Sequence, residues 1–210
     1  MVITYMGGEC FKVSQGDLTI ALNPPSKDSS IKTSKFGSDI VLSTLNHEDM
    51  NGVENASFGE REPFAITGPG EYEVRGVAVR GFAGESEYDG KKSINTIYSI
   101  ALEGMNLCFL GAMSSGELSP AAKQELDDID VLFLPIGGEG VLDHAAAYKL
   151  AVQLEPKAIV PMHYGELGGK DALKAFLKEA GSESVKPIEK LTIKKKDLDG
   201  KQGEIMVLAV

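Results

Sequence analysis

The chain of 210 residues contains three histidines, His47, His144 and His163. Imidazole is the side chain that both binds metals and exchanges protons near neutral pH, so any hydrolytic or acid–base chemistry starts from these positions. His47 sits in a polar loop, Asn46 to Asn51, just after a compact apolar run, Asp39 to Ser43 (D-I-V-L-S), with Asp49 two residues further on. His163 directly follows a second apolar run, Ala158 to Met162. His144 follows Asp143 at the head of an alanine-rich stretch (D-H-A-A-A-Y-K-L-A-V-Q-L). There it reads first as a polar group beside an N-cap aspartate, and second as a replacement ligand or acid–base group. Glu9, Glu48 and Glu71 bring carboxylates near the same kind of turn. Ser114-Ser115 has no identifiable base and is rejected as a nucleophile. Gly137-Gly138 suggests close backbone approach and is weak evidence for phosphate binding.

The elements that must hold these groups fall into two halves. Short β-prone runs come first: Ile3 to Met6, Cys10 to Val13, Leu18 to Leu22, Asp39 to Ser43, Phe64 to Thr67, Glu71 to Arg75 and Val77 to Phe82, separated by glycine and proline breaks. Pro24 to Ser38 is a Ser/Lys/Pro-rich loop, and Gly84 to Lys92 reads as a polar, mobile tip. Glu103-Gly104 between Asn95–Leu102 and Leu107–Leu110 is a hairpin signal. The period then changes. Ser119 and Pro120 open a helix to about Asp128, and Asp143 to Leu154 and Lys170 to Ala180 are helical, the last closed by Gly181. Val131–Pro135 and Ala158–Met162 lie between these helices as strands, and Lys190–Lys196 and Ile205–Val210 end the chain as strands. Hairpins followed by β-α-β-α units build two packed sheets with helices outside, an α+β αββα sandwich, expected here as one domain over residues 1–210.

Composition excludes several partners. Lys+Arg number 21 against Asp+Glu 31, a net charge of −10, so a phosphate backbone is repelled and nucleic acid is not expected. The basic run Lys194-Lys195-Lys196 reads as a solvated strand end. No apolar run reaches membrane-spanning length. The N-terminus lacks the basic and apolar regions of a signal peptide, so a cytoplasmic location without membrane association is expected. Cys10 and Cys108 lie in apolar runs outside any C-x-x-C spacing and read as buried free thiols.

Several segments together carry a family resemblance. Met6-Gly7-Gly8-Glu9-Cys10-Phe11 resembles a G-H-S-C-F opening element, and Thr19 to Pro24 an L-I-D-P strand end. Leu45-Asn46-His47-Glu48-Asp49-Met50, after its strand, resembles H-x-H-x-D-H. Gly68 to Val74 is similar to G-P-G-E-Y-E, and Leu110-Gly111-Ala112 stands where L-G-D is written. Val131 to Gly138 and Pro161-Met162-His163-Tyr164 match the last two landmarks, in order along the chain. These are motifs of the metallo-β-lactamase superfamily, in its ascorbate-6-phosphate lactonase-like, "Zn-dependent hydrolase" subgroup.

The resemblance implies a metallo-β-lactamase fold and a dinuclear site, in which two metals about 3.5–4 Å apart activate water. It also implies that most ligands are missing. Leu45 and Met50 stand at histidine positions, Ala112 at the bridging aspartate, Gly8 and Asn23 at two further polar positions, and no histidine lies between His47 and His144. Leucine has no lone pair, and a thioether is too soft for a hard hydrolytic metal. His47, Asp49 and His163 remain, split by the resemblance between the two former metal positions. The expectation is a member without the parent dinuclear chemistry, acting as a small-molecule-binding or interaction protein, with no cofactor. Two alternatives stay open: a hydrolase of lactones, esters or phosphoesters using one weakly held Zn, Mn or Fe on His47, Asp49 and His163, with His144 as a tentative catalytic group; or a subunit of a homo-oligomer or other assembly.

Overall fold

The structure, a computed structural model, describes residues 1–59, 62–165 and 167–210. Two mixed sheets form the body. The six-stranded sheet contains β1 (Val2–Tyr5), β2 (Phe11–Gln15), β3 (Leu18–Leu22), β4 (Ile40–Leu42) and β5 (Phe64–Ile66), with β12 (Leu191–Thr192) at its far edge, in the order β12-β1-β2-β3-β4-β5. The seven-stranded sheet contains β6 (Gly70–Val74), β7 (Val77–Ser86), β8 (Ser93–Leu102), β9 (Met105–Phe109), β10 (Val131–Pro135), β11 (Ala158–Met162) and β13 (Glu204–Ile205), in the order β13-β11-β10-β9-β8-β7-β6. Three α-helices, α1 (Pro120–Glu125), α2 (His144–Leu154) and α3 (Ala172–Glu179), complete the expected α+β class.

Side-chain alternation places the core. Ile20 and Leu22 of β3 and Ile40 and Leu42 of β4 face the second sheet, whereas Ala21 and Val41 face outward. Across the interface Phe11 meets Phe133 with ring centroids 4.8 Å apart and Phe109 at 6.4 Å. Strand β10 is buried on both faces. Val131 and Phe133 enter the inter-sheet core, while Leu132 and Leu134 pack under the helices with Ala147, Leu150 and Phe176. All three helices lie on this seven-stranded sheet. The outer face of the other sheet is covered by a loop and the 3-10 turn Val53–Asn55, with Ala56, Phe36 and Val53 packed on Ala21 and Val41.

Local signals behave as the residues suggest. Ser119 Oγ accepts the Ala122 N–H and Asp143 accepts the Ala146 N–H, capping α1 and α2. Glu103 and Gly104 both have positive φ (54° and 71°), the requirement of a type I′ turn, and Leu102 pairs with Met105 across it. Both cysteines are buried and free. Burial pushes the Cys108 thiol up to about 12, and the Cys10 thiol well above its ordinary value. Among the described residues no helix is long and apolar enough to cross a membrane.

Four expectations need correction. The last strand covers only Glu204–Ile205, not Ile205 to Val210, and Leu208 beyond it makes just an isolated bridge to Ile188. Helix α1 ends at Glu125 rather than near Asp128. The segment Gly84 to Lys92 is not a loose tip, because the β7–β8 ladder continues to the Ser86–Ser93 pair and Tyr88 turns inward beyond it. The run Lys190 to Lys196 is a strand only over Leu191–Thr192, after which Lys195–Leu198 forms a 3-10 turn. Within that turn Lys195 has a buried partner. Asp130, 0 % exposed, takes Lys195 Nζ at 2.6 Å, Lys157 Nζ at 2.8 Å and the Asn106 N–H at 2.8 Å. Burial alone would raise the Asp130 carboxyl, but these donors outweigh it and hold the group below its usual value.

A carboxyl lowered in the folded state stabilises above its unfolded pKa, and that contribution is lost as pH falls through the folded value. Asp130→Asn is therefore expected to cost about 3 kcal/mol at pH 7, in the range for breaking a buried pair. Urea denaturation should show the gap to wild type narrowing once the pH drops below about 4.

Candidate functional site

The candidate site forms where strands end. Strands β3 and β4 run parallel, as do β9, β10 and β11, so their carboxyl ends share one rim, the usual place for ligand chemistry in such sheets. Asn23 follows β3, Ser43 and Thr44 follow β4, Leu110 to Ala112 follow β9, Gly137 follows β10 and His163 follows β11. His163 adopts a left-handed backbone (φ 58°), unusual for a side chain with Cβ, and its N–H donates to the Gly8 carbonyl at 2.8 Å. Gly137 permits this, since a Cβ there would stand 1.9 Å from the His163 carbonyl oxygen. The close approach anticipated at Gly137-Gly138 is thus a backbone contact within the fold.

Two hydrogen-bonded groups occupy the rim. In the first, Glu9 in the β1–β2 turn meets His163, Oε1 to Nδ1, at 2.7 Å, with both side chains 0 % exposed. Asn23 Nδ2 donates to Glu9 Oε2 at 2.7 Å and to Thr44 Oγ1 at 2.8 Å, while the Thr44 N–H donates back to Asn23 Oδ1 at 2.8 Å. In the second group, Asp49 accepts Ser29 Oγ at 2.5 Å and the Tyr88 hydroxyl at 2.8 Å, one on each carboxylate oxygen. Its own N–H donates to His47 Nδ1 at 3.2 Å. That bond leaves the proton of a neutral His47 on Nε2, 4.0 Å from Asp89.

Tyr88 joins the two groups. Its ring packs edge-on against His47 (centroids 4.9 Å) and against His163 (5.3 Å). It also covers a small apolar cluster of Leu45, Met50, Ala112 and Val141, all buried. Burial first, then the bond to Asp49, drives the Tyr88 phenol far above its ordinary pKa, so it is a neutral donor. The structure therefore brings His47, Asp49 and His163 around one tyrosine. It leaves His144 apart, half-buried at the first position of α2 and outside these contacts. Glu48 and Glu71 are exposed, and Tyr72 bonds the Gly68 carbonyl instead.

Tyr88, Ser29 and the pairing role of Glu9 are not visible in the sequence. Their partners are 20 to 154 residues away, and Tyr88 is one aromatic in a polar stretch. Its isolation there was the available signal.

A hydrolytic metal needs three or four converging nitrogen, oxygen or sulfur donors. Among the described residues no three His, Cys, Asp or Glu converge in that way. Both Asp49 oxygens and His163 Nδ1 already have partners, and the Tyr88 ring packs against both imidazoles. The residues as arranged do not fit a metal. Among the described residues two buried side-chain atoms lack a partner, Asn95 Oδ1 and His163 Nε2, and the second belongs to the rim, where a carboxylate holds Nδ1.

Fold and rim together define a class, and comparison with known proteins identifies it. The family model for the beta-lactamase superfamily domain matches residues 2–163, and the chain belongs to that superfamily. It is 27 % identical over 185 residues to a UPF0173 metal-dependent hydrolase of Natranaerobius thermophilus, covering 78 % of this chain and 83 % of the relative. A UPF0173 metal-dependent hydrolase of Listeria innocua is 26 % identical over 196 residues, covering 78 % and 85 %. Among solved structures, a Thermotoga maritima protein assigned to the Zn-dependent hydrolases of the metallo-beta-lactamase superfamily superposes with a TM-score of 0.71 at 26 % identity, covering 99 % of this chain and 97 % of the other.

Because the rim depends on the Gly137–His163 approach, Gly137→Ala is expected to destabilise the protein by about 3 kcal/mol or more, in the range of strain and overpacking effects. Thermal and urea unfolding check this. An unchanged midpoint would mean that the two loops separate at no cost.

Proposed function

We propose that this chain, as one domain over residues 1–210, keeps the metallo-β-lactamase fold without the dinuclear hydrolase chemistry of its relatives, and acts as a small-molecule-binding or interaction protein. The observation that carries the reading is the buried cluster of Leu45, Met50, Ala112 and Val141 beneath Tyr88. Three of these stand where the family motifs, as matched in the sequence, place two histidines and an aspartate. They meet in space, so aliphatic and thioether groups take the place of a ligand set. Such a surface offers no lone pair suited to a hard metal and costs free energy to open to water. The net charge of −10 speaks against nucleic acid as the partner.

A second reading has one observation in its favour. His163 Nε2 is unpartnered, and its other nitrogen is held by Glu9, the outer-shell arrangement that commonly orients a metal-binding histidine. On that reading His47, Asp49 and His163 hold a single metal and the protein hydrolyses a lactone, ester or phosphoester.

Elemental analysis of purified protein loaded with zinc, manganese or iron, followed by assays on a lactone, a carboxylic ester and a phosphoester, separates the two. Metal well below one equivalent and no turnover above buffer are expected, with His163→Ala changing neither. Stoichiometric metal with turnover, both abolished in His163→Ala, would replace this reading with the second.

A further inference from the structure

Away from the rim, a groove of about 310 Å³ lies beside α3, lined by Leu173, Lys174, Leu177, Lys178 and Glu183. Its size is at the lower end for small-molecule sites. We infer that this groove binds an apolar dipeptide with both ends free. The inference goes beyond the reading of the rim and does not rest on it, because the groove is built from α3 and the chain that follows.

One amphipathic helix supplies most of the walls. Ala172 and the fully buried Phe176 seat α3 in the helical layer, and the Phe176 ring meets Tyr148 of α2 with centroids 6.4 Å apart. Leu173 and Leu177 recur four residues apart and form the floor, the first half-buried and the second buried. Lys174 and Lys178, each one residue later, stand along the exposed flank. After the helix Gly181 takes a left-handed backbone (φ 62°), and the chain turns back so that the Ser182 N–H donates to the Leu177 carbonyl at 2.8 Å. That turn brings Glu183 to the same groove.

The charges are placed for a partner from outside. Among the described residues the lysine ion pairs run through Lys92, Lys157, Lys195 and Lys201. Lys174, Lys178 and Glu183 make none, although the three share one groove. An anion alone is drawn to the lysines and repelled by Glu183, and a cation alone meets the reverse. A neutral apolar ligand covers the leucines but takes water from three charges without replacing it. A dipeptide answers every wall, with its carboxylate at the lysines, its ammonium at Glu183 and its apolar side chains on the leucine floor. The lengths agree. One helical turn separates Leu173 from Leu177, roughly 6 Å along the axis, and two extended residues span roughly 7 Å.

The test is titration of the isotope-labelled full chain with dipeptides, read from amide chemical shifts. Leu-Leu is expected to give saturable shifts confined to α3 and residues 181–185. Gly-Gly, which lacks the apolar side chains, is expected to bind at least about ten-fold more weakly. N-acetyl-Leu-Leu and Leu-Leu amide, each missing one charge, are expected to bind about three-fold more weakly, the scale of an exposed ion pair. Variants assign the ends. Glu183→Gln is expected to erase the difference between Leu-Leu and its acetyl form, and Lys174→Gln/Lys178→Gln the difference between Leu-Leu and its amide. All three positions are exposed, so both variants are expected to melt with wild type. Absence of saturable shifts, or shifts centred away from the groove, overturns the inference. So does an acetylated or amidated peptide that binds wild type as tightly as the free one, or discrimination that survives in the variants. Metal and turnover at the rim, which would displace the proposed function, leave these results unchanged.

Discussion

The contact on which the rim depends is the bond between Glu9 and His163. The two residues are 154 positions apart, one in the first turn of the six-stranded sheet and the other just beyond β11 of the seven-stranded sheet. Neither is exposed, so a carboxylate and an imidazole leave water together. That is tolerable only if each finds partners. Asn23 supplies the second oxygen of Glu9, and Thr44 fixes Asn23 from both sides. The same need for satisfaction places the Gly8 carbonyl, which accepts the His163 N–H and the Tyr5 hydroxyl. The sandwich is thus closed at its rim by a polar chain that crosses between sheets, beside a mainly apolar core in which the Tyr98 hydroxyl also donates to the Ser43 and Ile66 carbonyls of the other sheet.

Backbone proximity makes this chain of bonds achievable. Two glycines let neighbouring loops touch: Gly137 against the His163 carbonyl, and Gly111 against Thr44, whose Oγ1 would lie 2.3 Å from an added Cβ. The second contact brings the loop beyond β9 against Thr44, with Ala112 in the apolar cluster beside Leu45 and Met50. Polar closure on one side and apolar filling on the other occupy adjoining halves of a single rim. Tyr88, aromatic in body and polar at its tip, is suited to the seam between them.

Much of the scaffold could be read from the residues. Period-2 runs such as Thr19 to Leu22, caps at Ser119 and Asp143, and the Glu103-Gly104 turn are local signals whose physics does not depend on distant chain, and the structure follows them. The rim was legible only in part. His47, Asp49 and His163 were marked by resemblance, and the structure gathers them around one ring without showing what they do. Tyr88 and Lys195 escaped because each looks solvated in its own segment. What draws the first inward is a cluster assembled from three separate loops, and what draws the second is a buried carboxylate 65 residues earlier. Pattern reading reports average surroundings, and these two side chains are governed by a single long-range partner.

The two thiols described with the core have a bearing on dynamics. Cys10 lies beside Glu9 in the first turn, and Cys108 lies under the helices on β9, both about 1 % exposed. A thiol reacts as its thiolate, and burial withholds both the charge and the access that this requires. Alkylation of either sulfur therefore waits for the surrounding structure to open. Cys10 times the parting of the polar rim, and Cys108 times the lifting of the helical layer. The molecule thus carries two native clocks in separate parts of its architecture, and their relative rates report whether rim and helical layer come apart together or in turn.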